Sequence, residues 1–206
     1  MTVTLFIIIV TSALSFYAWQ RGDIMQKWLL TPYRIHRHNE FYRFLTSGLI
    51  HANFTHLLFN MLTLYFFGEL VEIIYRYYFG NKSSLFFVLL YGGGIVLSGV
   101  PTYLKHKQHA HYHSLGASGG VAAVIFSSIL FHPLSYICLF AFICLPGFIM
   151  GGLYLLYSYY FSTKQADHIN HDAHLWGAIY GAIFSIILHP KVVIYFFYQV
   201  VNFVKG

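Results

Sequence analysis

Ser118 sits in the run Leu115-Gly116-Ala117-Ser118-Gly119-Gly120, flanked by glycines that let a backbone or a substrate approach closely. A serine becomes a nucleophile when a general base takes its proton, and histidine is the usual base. His174 follows Asp172 at the opening of a later apolar stretch. In an earlier stretch His56 and Asn60 stand four residues apart, on one face of a helix. His51 lies about one and a half turns before His56. An acyl-transfer oxyanion needs donors placed beforehand, and the backbone N–H groups at a helix start are unpaired and point at an anion. These residues supply a nucleophile (Ser118), a general base (His174) and an oxyanion site (His56, Asn60 and the Ser118 N–H). Polar side chains inside apolar segments are costly and are functional candidates by default.

The elements that hold them are set by composition. Of 206 residues, 58% are hydrophobic, 20% aromatic and only 9% charged. A soluble domain carries about 25% charged residues, and one of this size still exposes about a third of its unfolded surface. Lipid is therefore the expected solvent. A disordered chain, a nucleic-acid module and an ordinary cytosolic enzyme are excluded, and the net charge of +6 comes from scattered Lys and Arg, not a dense stripe. The expectation is a single domain, 1-206, in an all-α membrane protein.

A spanning helix needs about 20 apolar residues. Six spans are expected, at about 2-19, 52-77, 83-104, 117-131, 134-161 and 171-188. The first has no basic leader region and reads as a retained span rather than a removed signal. Residues 20-50 form an amphipathic connector at the interface. The third span is loosened by Gly92-Gly93-Gly94 and stopped near Pro101. The fourth ends at His132-Pro133, the fifth is kinked at Pro146-Gly147, and a polar loop covers 162-170. The apolar tail from Lys191 is short and expected at the interface. Cys138 and Cys144, six residues apart on one helix, would be separated by about 9 Å of rise. That is too far for a disulfide, so they are expected as two packing cysteines. Charge leaves the orientation open: with a cytoplasmic N-terminus, most Lys and Arg fall outside, against the positive-inside rule.

A Ser–His pair requires the fourth and sixth spans to pack tightly. Ala173, Gly177, Gly181 and Ser185 recur every four residues as a small-residue face, and Ala117, Gly119, Ala122 and Ala123 thin the fourth span. Here the chain resembles the rhomboid intramembrane serine proteases. Gly116-Ala117-Ser118-Gly119 matches that family's GxSG motif, Ala173-His174 with Gly177 and Gly181 its AHxxGxxxG span, and His56-Leu57-Leu58-Phe59-Asn60 its HxxFN-like span. Tyr42-Arg43 stands where the family often has Trp-Arg, His51 at a recurrent histidine, and Glu72 near a carboxylate that ties loop to helix. The resemblance covers about 40-188. It implies a six-helix rhomboid-like bundle and a serine endopeptidase with a Ser118–His174 dyad. Gly116, Gly119, Gly177, Gly181 and Arg43 would be structural supports, with neither cofactor nor metal. Ala122 replaces an aromatic that often packs on the catalytic histidine, so another residue must orient that ring.

The expected substrates are single-span membrane proteins cut in or near their transmembrane helix. The expected place is an integral, multi-pass position in the cell (inner) membrane, with no nucleic-acid partner and the oligomeric state open. Glu69 and Glu72 near Arg76 read as structural ion pairs. The cluster His106, His109, His111, His113 reads as a polar loop. The sequence lacks an HExxH zinc motif, and Asp23, Asp167 and Asp172 all lie outside the depth of a span, which excludes an aspartyl protease. Two rival classes are a silent rhomboid-like protein that binds transmembrane helices, which a serine-reactive probe would distinguish, and a channel or transporter, which a flux assay would distinguish.

Overall fold

The computed structural model describes residues 1–139, 142–164 and 169–205. Helix α1, Val3–Gln20, is capped by Thr2, whose side chain accepts from the Leu5 N–H. The connector folds into short helices α2 (Gly22–Trp28), α3 (Pro32–His38) and α4 (Arg43–Thr46) and a single 3-10 turn. The long α5 (Phe54–Phe79) and α6 (Ser83–His106) form a continuous helical stretch turned back at Gly80, whose φ of 53° suits glycine. Then come α7 (Ser118–Phe131), a hairpin of β1 (Tyr136–Leu139) and β2 (Ile143–Pro146), α8 (Gly147–Lys164), α9 (His171–Leu188) and α10 (Lys191–Lys205).

Helix α7 occupies the middle, touching α5, α6, α8, α9 and α10. Its residues from Gly119 to Val124 are all buried. Between helices in lipid, close packing replaces the hydrophobic effect as the main attraction, and here small residues provide it. A Cβ on Gly177 would overlap the Gly119 carbonyl, and one on Gly181 would lie 2.6 Å from Ala123 Cα. Inside this contact, hydroxyls are paired rather than left bare: Tyr75 and Ser127 lie 3.0 Å apart, and Ser127 and Ser185 2.8 Å. The same chain of groups ties α5, α7 and α9.

By length and composition, Val3–Gln20 and Phe54–His106 can cross a membrane, and α9 with α10 passes only as a pair bent by 112°. α7 is apolar but has 14 residues.

Several expectations need correction. The fifth segment is not one helix over 134-161: its first part is the antiparallel hairpin, with Tyr136 opposite Pro146 and Cys138 opposite Cys144. α8 starts at Gly147, so Pro146-Gly147 is a strand-to-helix junction, not a kink. Once the backbone is extended and folded back, the cysteines face each other, and they form a disulfide with Cα atoms 3.9 Å apart. Pro101 does not stop α6, which runs on to His106; neighbouring helices support a proline inside a membrane helix. Glu69 and Glu72 do not pair with Arg76. Glu72 accepts the Thr4 and Val3 N–H groups at 2.6 and 3.2 Å, and Glu69 accepts the Thr2 hydroxyl at 2.6 Å. Glu72 thus takes two of the unpaired N–H donors at the start of α1, and Glu69 holds the Thr2 cap. The expected loop at 162-170 begins later, since α8 continues to Lys164, and residues 165–168, with Asp167, lie outside the described residues.

Candidate active site

Ser118 is the first residue of α7, and no side chain caps that terminus. The chain reaches it through Gly116, whose φ of 121° is glycine's territory. A Cβ there would lie 2.6 Å from His56 Cε1, so the missing side chain is what lets the His56 ring rest on the loop. The loop is fastened on both sides. The Gly116 N–H donates to the Ser47 carbonyl at 2.9 Å, and the Ala117 N–H to His51 Nε2 at 3.3 Å.

His51 is fully buried. Since its Nε2 accepts, the proton of the neutral ring belongs on Nδ1, 3.1 Å from Ser15 Oγ. Ser15 in turn donates to the Leu49 carbonyl at 3.4 Å. Burial, reinforced by neighbouring His56, pushes His51 down to about 3. A charged ring would also turn a second N–H against the Ala117 donor. His51 therefore links α1, the connector and the Ser118 loop as a neutral strut.

His56 and Asn60 project from the first turns of α5, which Asn53 caps through the His56 N–H at 2.9 Å. Asn60 is buried, and one of its two amide N–H donors goes to the His56 carbonyl at 2.9 Å. His174 stands in the first turn of α9. Asn170 caps that helix, accepting the Ala173 N–H at 3.1 Å and the Thr102 hydroxyl at 3.1 Å, while its amide donates to Ser114 Oγ at 3.2 Å. One asparagine thus fixes α9 against α6 and the segment before Ser118. On its other flank, the Tyr154 ring from α8 lies near parallel to His174, with centroids 6.2 Å apart and planes at 24°.

Ser118, His174, His56, Asn60 and Tyr154 line one cavity of about 640 Å³. Gly119 and Gly177 sit behind it at the α7–α9 contact, with Gly181 one turn deeper. Arg43 lies apart, in the connector. It is buried, donates to the Gln26 and Leu29 carbonyls at 3.0 and 2.8 Å, and pairs with Glu40. The Arg34 guanidinium first, and Arg43 with it, hold the Glu40 carboxyl down at about 2. Asp172 turns away to Lys105 at 3.0 Å. The histidine loop lies over an adjoining polar cavity of about 310 Å³, which shares His113, Ser114 and Asn170 with the first and where His106 stacks on Tyr112 at 3.7 Å. Among the described residues, no three His, Cys, Asp or Glu side chains are grouped to hold a metal.

Sequence reasoning missed Tyr154 and Asn170. Tyr154 carries no local signal, because its pairing with His174 is purely tertiary. Asn170 did carry one, as an N-cap residue type immediately before a helix opening.

Fold and site together define a helical membrane protein in which a serine and a histidine, each at a helix start, line one cavity. The model of the rhomboid domain matches residues 38–191. The chain belongs to the rhomboid family, and by that membership it is an integral membrane protein and a serine protease of the intramembrane kind. It is 29% identical over 161 residues to a Bacillus subtilis (strain 168) protein named "Putative rhomboid protease YdcA", covering 74% of this chain and 69% of that one. It is 30% identical over 155 residues to "RHOMBOID-like protein 12, mitochondrial" of Arabidopsis thaliana, covering 68% of this chain and 44% of that one.

Proposed function

We propose that the chain is an endopeptidase that cuts transmembrane segments of single-span membrane proteins through a Ser118–His174 dyad. The observation that carries this reading is the shared cavity, where both residues, His56, Asn60 and the opening of α7 face one space of about 640 Å³. Ser118 attacks the scissile carbonyl while His174 takes its proton and later delivers it to the leaving amine. The developing oxyanion is met by the Ser118 N–H, the His56 ring and the Asn60 amide. The whole chain acts as one domain, with α1, α5, α6, α7, α8 and α9 as six spans and α10 in the interface, set in the cell (inner) membrane. A helical substrate hides its amides, so it must unwind locally before it fits the cavity.

The test is cleavage of a single-span reporter in proteoliposomes. Ser118→Ala and His174→Ala proteins should each insert normally and leave the reporter intact. Wild-type-like cutting by either variant refutes the dyad.

A further inference from the structure

Cys138 and Cys144 take no part in the proposed chemistry. They stand directly opposite each other on β1 and β2, joined by a disulfide, and both residues are exposed. Two four-residue strands are marginal by themselves, so the cross-link matters to whether the hairpin holds.

The hairpin forms the foot of α8. Its pairing continues into that helix: the Gly147 N–H donates to the Ser135 carbonyl at 2.9 Å and the Phe148 N–H to the Pro133 carbonyl at 3.0 Å. Above this foot α8 is lightly held. It buries only Gly147, Gly151 and Ser158. Yet its middle carries Tyr154, which lies against His174. A clamp at one end of a loosely packed helix therefore reaches the site by rigid continuation along that helix.

We infer that Cys138 and Cys144 form a reversible thiol–disulfide site, whose partner is a low-molecular-weight thiol–disulfide couple and whose oxidation state sets how firmly α8 is held. Exposure gives a reagent access to either sulfur, and exposed disulfides are the labile ones. From the reduced chain, one cysteine thiolate attacks the S–S bond of a small disulfide RSSR. A mixed disulfide forms and RS⁻ leaves, taking up a proton. The second thiolate then attacks the mixed disulfide, the intrachain S–S bond forms, and the second RS⁻ leaves. Two thiols of the chain lose two electrons and RSSR becomes two RSH; excess RSH reverses both steps.

The experiment uses the full chain in detergent micelles, equilibrated with oxidised or reduced glutathione and quenched with N-ethylmaleimide. Intact mass should show no adduct in the oxidised sample and two adducts in the reduced one, interconverting on transfer. Maleimide uptake that does not change between the two poises overturns the site. Amide hydrogen exchange of 147–153 should quicken about tenfold on reduction, with α7 and α9 unmoved. A Cys138→Ser, Cys144→Ser protein should match the reduced rate under both poises. Equal exchange in both states overturns the link to α8. Through Tyr154 and His174 the link bears on activity only if the proposed function holds. Reduction loosens the seat of Tyr154 on His174 and is then expected to lower reporter kcat/KM about threefold, the direction of Tyr154→Ala. A chain that cuts nothing in either state, while its exchange still responds, refutes the protease reading and leaves the thiol site standing.

Discussion

Replacing Gly177 with alanine tests whether helix proximity is what makes the site. Gly177 lies three residues after His174, and its partner Gly119 directly follows Ser118. An added Cβ would overlap the Gly119 carbonyl oxygen and stand 2.9 Å from both Gly119 C and Cα. Carbon atoms rest at about 3.5–4.0 Å, so α7 and α9 must part by about 0.6–1 Å. No flexible side chain can absorb this, because the obstructing atoms are backbone. The parting falls between the proposed nucleophile and base, where a misplacement of about 1 Å costs roughly 10²-fold in rate. Gly152 is the control. It lies in helix α8 with nothing within 4 Å of a built Cβ, so Gly152→Ala should cut at the wild-type rate and gain up to about 1 kcal/mol of helix stability. Steady-state cleavage of a single-span reporter by the purified proteins measures both. Gly177→Ala activity within about threefold of wild type would show that the small-residue contact does not set the geometry.

Other consequences can be checked separately. His51 is held at about 3 in the fold against about 6.5 unfolded. The native state then binds fewer protons between those values, so stability is full above pH ~6.5 and falls as the pH drops. The loss should reach about 2–3 kcal/mol by pH ~4.5, and His51→Gln should flatten that slope in thermal unfolding; an unchanged slope contradicts it. Arg43→Ala leaves the Gln26 and Leu29 carbonyls without their donor and removes one of the two guanidinium partners of Glu40, which keeps Arg34. It should cost about 2–4 kcal/mol of stability, with no rescue by Arg43→Lys, whose compact ammonium cannot reach both Glu40, met by Nε, and the two carbonyls, met by Nη1; rescue by lysine would point to charge alone. Tyr154→Ala should lower kcat about 2–10-fold, the worth of one ring contact, while Tyr154→Phe keeps the ring and the rate. Equal losses in the two would place the effect on the hydroxyl instead.

How far the sequence could be read depended on whether a signal was local. The helix starts at Ser118 and His171 were legible because apolar runs there open on small or polar residues, and the four-residue recurrence from Ala173 to Ser185 marked the face that α9 turns to α7. The placement of His56 and Asn60 on one face followed from helical spacing alone, and both line the cavity with Ser118 and His174. The hairpin was not legible. Tyr136 to Pro146 is as apolar as a span, and periodicity cannot separate a short apolar strand from a buried helix. That error carried the disulfide with it, since six residues mean about 9 Å on a helix but face-to-face positions across a turn. Pro101 misled in the opposite direction, because a breaker in water is tolerated between packed membrane helices. Tyr154 and the Glu72 cap on α1 join residues far apart in the chain, and single-residue propensity holds no record of them.

The central claim, that Ser118 is a nucleophile activated by His174, is met most directly by a fluorophosphonate probe on the detergent-solubilised chain, with the labelled peptide mapped by mass spectrometry. The account predicts one adduct, on Ser118, lost in Ser118→Ala and reduced at least about 10²-fold in rate in His174→Ala. An adduct on another residue, or labelling of Ser118 at the same rate without His174, would contradict it.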